Sequence, residues 1–195
     1  MLHEISRCGW CGDDPLYQNY HDTVWGRPEY DARELFKKLC LDGQQAGLSW
    51  ITILRKQSGY ERAFFEFDPV RMARLTEEDV DRLMLNSEIV RNRLKINSLI
   101  KNAKAYLTFE ESAEGFSDFL WAFVGNKPIQ NRWHSMSEVP AETEESKAMS
   151  KALKKKGFSF VGPTICYAFM QAVGMVNDHL LSCHCYETCC SISDR

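Results

Sequence analysis

Residues 153–183, LKKKGFSFVGPTICYAFMQAVGMVNDHLLSC, constrain the fold of this 195-residue chain more than any other stretch. A lysine-rich helix end runs into Gly157-Phe-Ser-Phe-Val-Gly162-Pro163. Glycines reach backbone angles closed to other residues, and proline suits the first turn of a helix, so the segment reads as helix, hairpin, helix. Backbone N–H groups at the start of the second helix can donate to a phosphate oxygen, and Lys154, Lys155 and Lys156 add positive charge nearby. Lys155, Gly157, Gly162 and Thr164 are therefore candidate phosphate contacts. Gly174 closes the second helix, and Asn177-Asp178 reads as the cap of a third helix carrying His179 and Cys183 on one face. Such a pair is half of a tetrahedral metal site.

Hydrophobic periodicity places further helices over 30–40, 49–57, 60–67, 76–85, 89–106, 116–124 and 145–156. Asp31 is the expected cap of the first, and Thr76-Glu-Glu-Asp79 opens the fourth with a capping signature. Gly43 and Gly47 interrupt the pattern after residue 40, and prolines 69 and 128 end two others. Residues 1–28 read as an aromatic-rich loop with Trp10, Tyr17, Tyr20 and Trp25, a density that marks a binding wall or a cap over one. Residues 129–145 read as a polar surface excursion. Alternating strand patterns are nearly absent, so the expected fold is all-α. It forms a single unit over 1–195, with a central helical part at 30–128 and terminal segments at 1–28 and 145–190.

The net charge of −3 argues against a globally basic nucleic-acid binder while allowing a local basic face. The opening residues lack the apolar run of a signal peptide, and no stretch approaches the roughly 18 apolar residues of a membrane span, which points to a cytoplasmic protein. In that compartment the eight cysteines are better read as thiols or metal ligands than as disulfides. Cys8, Cys11, His21, His184 and Cys185 are the candidates to complete a site with His179 and Cys183. On spacing alone the Cys8-Gly-Trp-Cys11 pair outranks Cys8 with His21. Four protein ligands leave no open position for water, so the site would be structural.

RCGW at 7–10, DPLYQNYHD at 14–22, WGRPEYD at 25–31, LCLDGQQAGLSWITIL at 39–54, residues 153–172 and MVNDH at 175–179 are long and unusual motifs. Through them the chain closely resembles the bacterial 3-methyladenine DNA glycosylase I family. The resemblance implies an all-α helix-hairpin-helix glycosylase with one structural Zn2+ per chain, held by Cys8, His21, His179 and Cys183 and joining the terminal segments. Cys11, Cys185, Cys189 and Cys190 stand outside that pattern. The resemblance also implies hydrolysis of the N-glycosidic bond of N3-methyladenine in alkylated double-stranded DNA. The products are an abasic site and free 3-methyladenine, and the enzyme is a monomer with no membrane association. The base-recognising carboxylate falls at Asp42, where some relatives carry glutamate. Read from the residues alone, Asp42 is a helix C-terminal turn residue bonded to the Gly43-Gln44 backbone.

A glycosylase must hold an extruded base by its faces and edge. Trp10, Tyr17, Tyr20 and Trp50 suit the faces, and Asp42 the edge. N3-methylated adenine is positively charged in DNA, so stacking gains a cation–π term and a nearby anion gains Coulomb energy. The charged base is a good leaving group, and flipping, a shaped pocket and water at C1′ suffice without a strong nucleophile. Asp178 is placed to stabilise the sugar cation, or equally to cap the chain or support the metal beside His179. No lysine replaces it, which argues for simple hydrolysis without a Schiff-base step. Gly47 and Leu48 form a candidate wedge for the gap left in the duplex, with a core leucine as the competing reading of Leu48. The alternative function is a zinc-stapled helical protein that binds damaged DNA without catalysis. A third reading, a zinc hydrolase, requires an open metal position.

Overall fold

Asp14 accepts hydrogen bonds from the Leu16 and Tyr17 N–H groups and Pro15 takes the first helical position, so α1 (Pro15–Thr23) forms where a loop was expected. The computed structural model describes residues 5–193, so residues 1–4 of that N-terminal stretch lie outside the described part, as do 194 and 195. Asp31 caps α2 (Ala32–Gln44), which continues through Gly43 and holds Asp42 in its last turn, as the terminal-turn reading expects. The Asp42 side chain, however, meets Lys38 rather than the Gly43-Gln44 backbone. Gly43 packs closely on the hairpin, where a Cβ would lie 3.1 Å from the carbonyl oxygen of Phe160.

A single helix, α3 (Trp50–Ala63), replaces the two expected over 49–67, and its Gly59 lies against the backbone of Glu88. Short helices α4 (Pro69–Met72) and α5 (Glu77–Leu83) follow, the second opened by a Thr76–Asp79 capping box. Next come α6 (Arg93–Glu110), beginning four residues later than its apolar pattern suggested, and α7 (Phe116–Trp121).

β1 (Ile129–Gln130) pairs in parallel with β2 (Val176–Asn177), Ile129 opposite Val176, a two-residue exception to the all-α expectation. The 129–145 segment is therefore tied into the fold rather than lying over it. α8 (Glu144–Lys155) leads through the hairpin into α9 (Pro163–Ala172). Gly157 has φ +98°, as a turn glycine should, but Gly162 is an ordinary extended N-cap at φ −63°, and the hairpin's second left-handed residue is Phe160. Residues 178–185 form turns, not the expected third helix, before α10 (Tyr186–Ser193).

The apolar face of α9 packs on α8 and α2, while α6 packs on α4 and α2. Leu35, Phe36, Leu39, Ile53, Leu99, Met149, Leu153 and Phe169 are fully buried between them. Each such side chain stabilises the fold by about 1.5–3 kcal/mol relative to exposure. Asn102 of α6 pins the hairpin, donating to the Ser159 carbonyl at 3.1 Å and accepting from its N–H at 2.8 Å. These contacts bring the end of α2, the start of α3 and the start of α9 to one place. Among the described residues no helix is long and apolar enough to cross a membrane.

Candidate active site

The ends of α2 and α3, with α1 and α9, enclose a cavity of about 220 Å³. Trp10, Tyr17, Tyr20, Asp42, Trp50 and Asp178, all singled out from the sequence, line it together. Trp10 meets Tyr17 and Trp25 edge-on, each with ring centroids 5.0 Å apart, and Tyr20 lies tilted 5.5 Å from Trp50. The rings thus form a rigid aromatic wall.

Asp42 is only 2% exposed. Its Oδ1 accepts from Lys38 Nζ at 2.5 Å, and Oδ2 has no donor; Trp50 Nε1, also buried, has no acceptor. Burial pushes the Asp42 carboxyl above the usual carboxylate range, with Lys38 pulling the other way, and burial lowers Lys38 in turn. An unpartnered buried polar group costs about 1–3 kcal/mol, so the cavity is built for a flat ligand with a polar edge. Lys38 was missed in the sequence; its signal is the i,i+4 spacing to Asp42 along α2. Its ammonium also sits 3.6 Å from the centroid of the Trp50 ring.

Asp178 is 1% exposed and accepts four hydrogen bonds, from Asn131 (2.6 Å) and Trp133 (2.8 Å) on Oδ1 and from Tyr167 (2.5 Å) and Gln171 (2.9 Å) on Oδ2. None of these four partners was singled out in the sequence. They tie the 131–133 segment to α9, and they fill the acceptor positions that proton abstraction would need.

A cleft lined by Ala46, Gly47, Leu48 and Thr164 adjoins the cavity and shares Asp42, Gln45 and Ala168 with it. Leu48 is 40% exposed, which removes the core-leucine reading. The N-terminus of α9 has no side-chain cap, and its first-turn residues Thr164 and Ile165 line this cleft. Lys155 is exposed at the end of α8, whereas Lys156 is engaged with Glu114 at 2.9 Å.

At the far side of the aromatic wall, Cys8, His21, His179 and Cys183 are buried with their ligand atoms all within 4.8 Å of one another. Cys183 Sγ lies 3.5 Å from both His21 Nε2 and His179 Nδ1, and Cys8 Sγ lies 3.6 Å from His179 Nδ1. A tetrahedral ion with metal–sulfur and metal–nitrogen bonds near 2.3 and 2.05 Å holds such atoms about 3.6 Å apart, so the donor set fits a metal. The other ring nitrogens are held by protein: His21 Nδ1 by Asp22 at 2.8 Å and His179 Nε2 by the Trp25 carbonyl at 3.1 Å. Arg7 grips Asp22 and keeps its carboxyl well below the usual range. Backbone N–H groups of Leu180 and Cys185 point at the two sulfurs. Cys11 is absent from the cluster, its Sγ donating to the Cys8 carbonyl. His184 and Cys185 gather around Asp22 instead.

The helical scaffold encloses an aromatic, carboxylate-edged cavity beside an exposed leucine and an uncapped helix start, a shape and chemistry that suit a single flat ring. Residues 10–186 match the family model described as methyladenine glycosylase. A protein of Haemophilus influenzae named DNA-3-methyladenine glycosylase is 54% identical over 180 residues, covering 92% of this chain and 97% of that protein. The crystal structure of a 3-methyladenine DNA glycosylase I superposes with TM-score 0.92 at 52% identity, covering 93% of this chain and all of the other. A variant of a second such enzyme, in complex with 3-methyladenine, superposes with TM-score 0.89 at 40% identity over 92% of this chain and 97% of its own. The chain belongs to the methyladenine glycosylase family.

Proposed function

We propose that the chain is a DNA-3-methyladenine glycosylase, which hydrolyses the N-glycosidic bond of N3-methyladenine in alkylated DNA and leaves an abasic site. The observation that carries this reading is the unpartnered Asp42 Oδ2 inside an aromatic cavity that opens on the Leu48 cleft. The extruded base stacks on Trp50 and Tyr20, with Trp10 and Tyr17 closing the wall, and offers an N–H edge to Asp42. Gly47 and Leu48 fill the gap in the duplex, while Lys155, the Gly157–Gly162 hairpin and the Thr164 end of α9 hold phosphates. Departure of a base that is already cationic needs little proton transfer, so holding the flipped nucleotide while water reaches C1′ is the principal task. Asp178, with its four donors, contributes a fixed negative charge and a rigid wall rather than a base.

Cys8, His21, His179 and Cys183 hold a structural Zn2+, whose chemistry is to fasten the N-terminal aromatic segment to the 178–185 turns. Assay of free base after incubation with methylated DNA tests the function. Released 3-methyladenine with matching abasic sites is the expected result. Tight binding to methylated DNA with no base released would make the chain a damage-binding module instead.

A further inference from the structure

We infer that Lys38 is an internal cation that competes with a positively charged base for Asp42 and Trp50, and thereby sets how strongly this pocket prefers charged over neutral methylpurines. The inference rests on the assignment of the cavity as the base pocket. Its ground is geometric: one ammonium lies 2.5 Å from Asp42 Oδ1 and 3.6 Å from the Trp50 ring centroid. Those are the two groups, an anion and a π face, by which a cationic base gains attraction that a neutral one does not. With Lys38 in place the carboxylate is already neutralised and the ring already carries a cation. An incoming charged base meets a like charge, whereas a neutral base of the same shape does not.

Lys38 also has somewhere to go. With Tyr20 and Trp50 it forms part of the boundary between the 220 Å³ cavity and a second one of about 430 Å³, lined further by Glu29, Glu34 and Gln57. The flexible four-carbon stem lets the ammonium turn from Asp42 toward these acceptors, although Glu34 is already shared with Lys37 at 2.7 Å. Asp42 Oδ2 stays open in either position, so the edge contact survives while the charge preference changes. Lys38 is thus a specificity-determining residue of the pocket.

The test uses the full-length, metal-loaded protein and two probes followed by tryptophan fluorescence: 3,9-dimethyladeninium, with a fixed positive charge, and neutral 3-methyladenine. Lys38→Met should bind the cation about 10-fold more tightly than the parent and the neutral base within about 3-fold, while Lys38→Arg should match the parent. Unchanged or weaker binding of the cation by Lys38→Met, or equal tightening of both probes, would overturn the competition. If Lys38→Met does not fold by circular dichroism, Lys38→Gln carries the same comparison. Binding of both probes that is indifferent to Trp50→Ala would instead remove the pocket assignment, and the competition with it.

Discussion

The ammonium of Lys95 donates a 2.6 Å hydrogen bond to the carbonyl oxygen of Ala46, reaching from α6 to the turn that follows α2. A second bond, to Gln44 at 2.7 Å, satisfies a carbonyl that the end of α2 leaves without an intrahelical partner. Gln44 is itself fully buried and held by Tyr60 and the Lys95 carbonyl. The turn carrying Gly47 and Leu48 is thus fixed from below by a buried cation. Lys95→Met should destabilise the protein by about 2–3 kcal/mol in urea unfolding, because two acceptors lose a charged donor. It should also weaken binding to abasic-site DNA while leaving the aromatic cavity intact.

Leu48 points outward, so its truncation removes little packing. Leu48→Ala should change unfolding free energy by no more than about 0.5 kcal/mol. Binding to duplex DNA with an abasic site should fall by about 10-fold, measured by fluorescence anisotropy. A large stability loss with unchanged binding would return Leu48 to a packing role.

Metal removal should act on the terminal segments first. A chelator should release one zinc per chain, lower the melting temperature and change the fluorescence of Trp10, which lies 5.2 Å from the His21 ring. Cys183→Ser should lose the metal, and Cys11→Ser should retain it, as measured by metal content after gel filtration. Equal loss in both would put Cys11 among the ligands.

Much of the fold is legible wherever a local signal decides it. Asp31 and the Thr76–Asp79 box start the helices they were expected to start. The errors lie where distant parts of the chain decide. Gly43 reads as an interruption, yet it lies inside α2 with Phe160 packed closely against it, and Gly59, between two expected helices, lies inside α3 where a Cβ would run into the Glu88 carbonyl oxygen. His179 and Cys183 were brought together by a helix in the reading and by turns in the structure, where β2 and the four donors to Asp178 hold the backbone just before His179 out of a helix. The aromatic residues and Asp42 were legible through motif and chemical type. The i,i+4 spacing puts Lys38 beside Asp42, but its place over the Trp50 ring depends on how α3 packs against α2, a relation that no local pattern encodes.

On the proposed function, Asp42 reads the base within an intact fold. Single-turnover release of 3-methyladenine from methylated duplex DNA, by the parent and by Asp42→Asn side by side, measures that most directly. The parent should release the base, and Asp42→Asn should do so about 100-fold more slowly at a melting temperature within a few degrees of the parent's. Equal rates of release from the two proteins would show that Asp42 does not read the base.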